Sequence, residues 1–153
     1  MNRASEPEIK PLLATVAETK KALVAAGLEV YRTRGDVVFL ADRVRENLLM
    51  EAGAFIRSGA ALAVGIVVRA QASDFPGDDE GQLLARARGV AATALSSGYH
   101  EAGTQLHTVA DPGDAARIID TWCELMLEKP VADLAEAIDE VRRAKAFDKA
   151  VPR

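Results

Sequence analysis

The run GAALAVGIVV, residues 59 to 68, is the longest apolar stretch of the chain. It has half of the ~20 residues that a bilayer-spanning helix needs, so it belongs to a protein core. Taken two residues at a time, Leu62, Val64, Ile66 and Val68 share one face, and Ala61, Ala63, Gly65 and Val67 share the other. A strand that is apolar on both faces lies inside a sheet. Its second face is built of small side chains, which predicts close approach by a helix or a second subunit.

The other elements are arranged around this strand. Upstream, Ser5 and Glu8 have capping-box spacing, and Ile9, Leu12, Leu13, Val16, Leu23 and Val24 follow a helical stripe. Pro11 is an alternative start, since proline is best tolerated in a first turn, and Gly27 is the expected stop. LEVYRT and DVVFL are β-branched or aromatic and flank Arg34-Gly35, which predicts a hairpin. The tripeptide Arg34-Gly35-Asp36 spells an adhesion signal, but it falls on the hairpin tip, where turn chemistry accounts for the glycine and its acidic neighbour. Asp42 is placed to cap a helix over 43–57 with Val44, Leu48, Leu49, Ala52, Phe55 and Ile56 inward. SDFPGDDEG is a loop by composition. Asp79 and Gln82 make a second capping box before a helix with Leu83, Leu84, Ala87, Val90, Ala91, Ala94 and Leu95 inward, closed by Gly98. YHEAGTQLHTV is expected as a strand, ADPGDAARIID as a long turn, and TWCELMLE as the partner strand, with a helix over 114–128 as the rival reading. Pro130 is expected to open a last helix with Leu134, Ala137, Ile138 and Val141 inward, and KAFDKAVPR to fray.

The resulting order is α-ββ-α-β-α-ββ-α. It predicts an α/β (α+β) fold with a mixed five-stranded sheet packed with helices, strands two, three and four running parallel through right-handed crossovers. The 153 residues fit one domain, expected over 7–148 behind a flexible tail of residues 1–6. Hydrophobic residues at 49% against 27% charged favour a packed core over disorder. A net charge of −4 disfavours a duplex-binding surface, which needs clustered Lys and Arg. Arg32, Arg34, Arg43, Arg45 and Arg57 are explained by mixed surface charge, with Arg43 able to pair with Glu46 or Asn47. The single cysteine, Cys123, excludes an intrachain disulfide, and the first ten residues lack an apolar signal region. Both fit a cytoplasmic protein that is not bound to a membrane.

The motifs of common enzyme classes are missing. There is no phosphate loop, G-x-G-x-x-G, H-E-x-x-H, paired C-x-x-C or G-x-S-x-G, and no cofactor is expected. The two histidines, His100 and His107, lie on one proposed strand at odd separation, so a regular strand sends them to opposite faces unless a bulge intervenes. Strict alternation puts His107 with Gln105, Glu101 and Tyr99, and puts Trp122 with Glu124, Met126 and Glu128. That mixed face has two readings. It is an interface, with Trp122, Met126, Gln105 and Tyr99 as contact residues, because Trp and Met are enriched there. Or it is a cleft in which Glu101, His107 and Glu124 do acid–base work beside Trp122. Cys123 alternates inward and behaves as a small buried hydrophobe. Two acidic loops, one with Asp74 and Asp78 and one with Asp111 and Asp114, would share the carboxyl edge of a parallel sheet and suit a hard cation. Neither matches a calcium-loop pattern, and Asp is also an ordinary loop and cap residue.

In size and acidity the chain is similar to many small bacterial secretion chaperones, which are dimeric α/β proteins; the likeness is one of composition and carries no motif. The function expected is that of a small binding or scaffold domain, acting as a homodimer and contacting an unidentified protein or small ligand. The alternative is a small-molecule enzyme using the Glu/His constellation or a divalent cation. Nucleic acid and membrane are not expected partners.

Overall fold

The computed structural model describes residues 13–153. The Ser5–Glu8 box, Pro11, Leu12 and the expected tail lie outside these residues. The fold is α+β, with six strands in one antiparallel sheet and three helices. In chain order the elements are α1 (Val16–Ala25), β1 (Val30–Arg34), β2 (Val37–Arg45), β3 (Leu48–Arg57), β4 (Leu62–Gln71), α2 (Glu80–Ser96), β5 (His100–Asp111), β6 (Asp114–Val131) and α3 (Leu134–Ala146). The sheet order is β1-β2-β3-β4-β6-β5.

The apolar run becomes β4, a central strand between β3 and β6. Leu62, Val64, Ile66, Val68 and Ala70 are buried on the helix side. There they meet Val38, Leu40, Ala54 and Ile56 from β2 and β3, Leu125 and Leu127 from β6, and alanines of α2 and α3. Ala87, Ala91, Ala94, Ala137 and Ala144 are all buried, which is the close alanine-mediated packing that the composition suggests. Thr15 caps α1 with Glu18 in a capping box, and Asp79 with Gln82 does the same for α2. Gly35 turns the first hairpin with φ +60°.

Five expectations are corrected. The helix over 43–57 does not form: this segment is the end of β2, a turn at Glu46-Asn47, and β3. Gly53 sits in its middle with φ +71°, a left-handed conformation that no helix interior contains. Of the six stripe residues, Val44 and Leu49 are exposed, so the helical spacing was a coincidence. The order is therefore α-ββββ-α-ββ-α. The parallel crossovers are also replaced: β2, β3 and β4 follow one another as antiparallel hairpins, and β6 lies between β4 and β5. The long turn at 110–120 shrinks to Pro112-Gly113, and the rest is strand; β6 runs for 18 residues. Pro130 ends β6 in place of opening α3, whose cap is Asp133. It falls beyond the last β5 rung, His100 with Glu128, where β6 has only β4 beside it, a position proline tolerates. The expected fraying of 145–153 gives way to order: α3 runs to Ala146, Phe147 and Val151 pack on the core, and Arg153 Nη2 lies 2.8 Å from Asp74 Oδ1.

Gly53 also splits the sheet. β3 pairs with β4 only from Ala54 to Arg57, so Leu48–Gly53 and Val67–Gln71 diverge. The aliphatic stem of Lys149 crosses this split beside Gly53, and its Nζ donates to the carbonyls of Lys145 and Phe147. Burial lowers the Lys149 pKa from the ordinary lysine value.

No helix among the described residues is long and apolar enough to cross a membrane.

Candidate functional site

Among the described residues, the three helices pack against one side of the sheet and leave the other side open. The antiparallel register aligns the open face in rows. The first runs Arg32, Phe39, Phe55, Gly65, Glu128 and His100 across all six strands. The rows beyond it on β4, β6 and β5 are Val67–Met126–Gly103, Arg69–Glu124–Gln105 and Gln71–Trp122–His107. The residues Trp122, Met126, Gln105, His107 and Glu124, singled out from sequence, therefore stand together in three consecutive rows.

One carboxylate organises this patch. Glu124 Oε1 accepts from Trp122 Nε1 at 3.0 Å and from Arg69 Nη2 at 3.2 Å. His107 Nε2 lies 3.1 Å from the same oxygen, buried but out of line for a hydrogen bond. The His107 and Trp122 rings stack with centroids 5.1 Å apart and planes 14° off parallel. The Arg69 guanidinium sits 5.3 Å from the Trp122 ring centre. An aromatic platform is thus held flat on the sheet by a charged clasp. Behind it lies a small apolar cluster of Val37, Phe39, Phe55, Val67 and Met126. Phe55 fills the space over Gly65, and Arg57 bonds Glu128 at 2.7 Å on the same side of the sheet. Gly65 of β4 thus receives a neighbouring side chain from within the sheet, where a helix was one of the expected occupants.

Tyr99 and Glu101 are not on this face. The β5–β6 register slips between Glu101 and Gly103, a bulge that inserts one residue. Every side chain before it changes face. Glu101 is now opposite Leu127 and pairs with Arg88 of α2 at 3.1 Å, on the helix side. Tyr99 is buried between α2 and α3 beside Glu140, with its hydroxyl unpartnered. Desolvation first, and the Glu140 charge second, push its pKa far up, so it remains a phenol. The same bulge returns His100 to the face of His107, but opposite Glu128, six residues along β6 from Trp122 or ~20 Å away. The two histidines share no site. Gly103 was the available sequence signal, since a glycine inside a strand often marks a bulge.

The acidic residues have structural partners. Asp74 pairs with Arg153, and Asp78 with Arg86. Asp111 accepts from the Gly113 amide and Asp114 from the Ala116 amide at the β5–β6 tip. Asp120 of β6 lies near Ser73, but Asp114 is six residues further out, ~20 Å along the strand. Among the described residues, no group of three or more His, Cys, Asp or Glu side chains is placed to hold a metal ion. Cys123 is buried in the core, and its surroundings raise its pKa by desolvation. Arg43, expected to meet Glu46, pairs with Glu29 at 2.8 Å and bonds only the Glu46 carbonyl. A hollow of about 710 Å³ between α2 and the C-terminal segment is lined by none of the candidate residues.

The arrangement defines an α+β protein with one helix-covered and one open sheet face. No family model, no curated protein and no solved structure matches this chain.

Proposed function

We propose that this protein is a small cytoplasmic binding module without chemistry of its own, which works as a pair of copies and offers its helix-free sheet face to a protein partner. The observation that carries the reading is the platform of Trp122, His107 and Met126, set among Arg69, Gln105 and Glu124 on a face that no helix covers. Aromatic and Met side chains with a polar rim suit protein contact. Glu101 faces away, and the Glu124 oxygen nearest His107 already accepts two hydrogen bonds. That supports binding over acid–base turnover. Cys123 is the single cysteine, so no intrachain disulfide can form, which fits a reducing compartment.

The test places a photo-crosslinking side chain at Gln105 and, as a control, at exposed Lys20 on α1, in the native host. The expected result is an adduct to one other protein from position 105 only, lost when Trp122→Ala and Met126→Ala are added. Equal adducts from both positions, or none from position 105, would overturn the reading.

A further inference from the structure

The sheet ends in two very different edges. β1 is five residues long and carries Arg32 and Arg34, the short, charged form in which natural sheets protect an edge. β5 is twelve residues long, and from Gly103 to Ala110 it contains no Lys, Arg, Asp, Glu or Pro. Among the described residues its outer side pairs with no strand. This leaves ~27 Å of unpaired backbone donors and acceptors, with Leu106 and Val109 exposed along it. Such an edge is a template for another strand.

A second observation points the same way. The β4–β6 ladder stops at Gln71 with Trp122. Past that rung, Asp114–Thr121 pairs with β5 alone, and Gln71 and Ser73 hold it only at Asp120. It exposes Ile118 and Ile119, which are 51% and 52% accessible. A two-stranded ribbon is marginal in water by itself. The outer half of the β5–β6 ribbon therefore lacks a third strand, while the inner half is anchored by β4 and has a free β5 edge.

We propose that β5 is the self-association surface, pairing antiparallel with β5 of a second copy about a two-fold axis at Leu106. The inference rests on the paired-copy half of the reading above and names its surface. The axis sets Thr104 opposite Thr108 and Gly103 opposite Val109 of the second copy. Opposed residues then share a face, so the sheets join into twelve strands, six from each copy, with all helices on one side. Each free ribbon gains the anchored half of the other β5 as its third strand. The acids at the two ends of the run bring their own cations, Glu101 with Arg88 and Asp111 with Arg117, so no bare like-charge pair is created. The open face is left uncovered and doubled in length. A second copy suits the edge better than a foreign strand, because each half of β5 supplies what the other half lacks.

The test is sedimentation equilibrium on three chains. Wild type is expected to dimerise. Thr104→Lys with Thr108→Lys sets like charges opposite each other twice and should weaken the dimer by about tenfold or more. Thr104→Lys with Thr108→Glu sets opposite charges together and should restore it. Hydrogen exchange on wild type adds a readout independent of the variants: amides 103–110 should gain protection as concentration raises the dimer fraction. A monomeric wild type would overturn both this inference and the paired-copy reading. A double-lysine chain that dimerises like wild type, or amides 103–110 indifferent to concentration, would overturn the β5 surface alone. A lysine–glutamate chain as weak as the double lysine would overturn the axis at Leu106.

Discussion

Gly65 offers the sharpest test of how the open face is built. A Cβ at this position would lie 1.9 Å from Phe55 Cζ and 2.2 Å from two more ring atoms, with Phe55 itself 1% accessible. The backbone at Gly65 is ordinary, since it is not among the positive-φ glycines. With no ring above it, Gly65→Ala would stabilise the fold by about 0.4–1 kcal/mol, by reducing the freedom of the unfolded chain. With the ring in place, overpacking costs about 1–3 kcal/mol, because Phe55 is hemmed in by Phe39, Val67 and Met126. The expected net effect is a loss of about 1–2 kcal/mol. Phe55→Val removes all three clashing atoms and costs about 2–4 kcal/mol by itself. In that background Gly65→Ala should become neutral or stabilising, a coupling of about 2 kcal/mol. Urea unfolding of the four chains gives each midpoint, and unchanged m-values confirm that stability alone has moved. If Gly65→Ala raises the midpoint in wild type, or the two changes add without coupling, the ring does not sit over the glycine and the packing argument fails.

Two further outcomes follow from buried polar groups. Thr19 and Ser58 are almost fully buried, with their hydroxyl oxygens 2.7 Å apart. Thr19→Val should cost about 1–3 kcal/mol by stranding the Ser58 hydroxyl, and adding Ser58→Ala should recover part of that loss in thermal melts. Glu140 is buried between Lys129 at 2.6 Å and Arg143 at 3.2 Å. Burial opposes its charge, but the hydrogen bonds from Lys129 and Arg143 outweigh it and lower its pKa below the ordinary 4.5. A depressed carboxylate stabilises the fold above its unfolded pKa, and the contribution disappears as pH falls through the folded one. Glu140→Gln should therefore be less stable than wild type at neutral pH, and the gap should narrow below pH 4.5; a gap constant down to the acid limit of folding would contradict the ion-pair account.

What could be read from sequence was what one segment decides by itself. The apolar run, the hairpin turn at Gly35, the Asp79–Gln82 box and the inward face of α3 each depend on a few adjacent residues, and each appears where local chemistry puts it, the turn one residue later than expected, at Gly35-Asp36. What could not be read depended on a partner strand. Residues 43 to 57 carry apolar side chains at helical spacing, and only the pairing of β2 with β3, and of β3 with β4, makes them a hairpin. The candidate site shows the same division. Trp122, Glu124 and Met126 share a face because β6 is regular from Trp122 to Val131 against β4. On β5 one inserted residue at the Glu101–Gly103 bulge moved Tyr99 and Glu101 to the helix side and left His107 and Gln105 in place. The period of two is reliable between irregularities, and the position of an irregularity is set by the neighbouring strand.

The same reasoning explains why the open face is neither a second core nor an ordinary wet surface. Three helices cover one side of six strands, so the apolar residues on the other side have only their own neighbours for burial. Near β3 and β4 the sheet supplies that burial itself: Gly65 leaves a hollow, Phe55 fills it, and Phe39 and Val67 close around the ring. Near β5 and β6 it cannot, because Gly53 has turned β3 away from Val67–Gln71 and, among the described residues, no strand lies beyond β5. There Trp122 is buried only as far as His107 and Arg69 can cover it. Held by a stacked histidine, a guanidinium and a single carboxylate oxygen, Trp122 stays only partly buried. The platform is therefore ordered by its neighbours and still incomplete, which is what the proposed partner contact would complete.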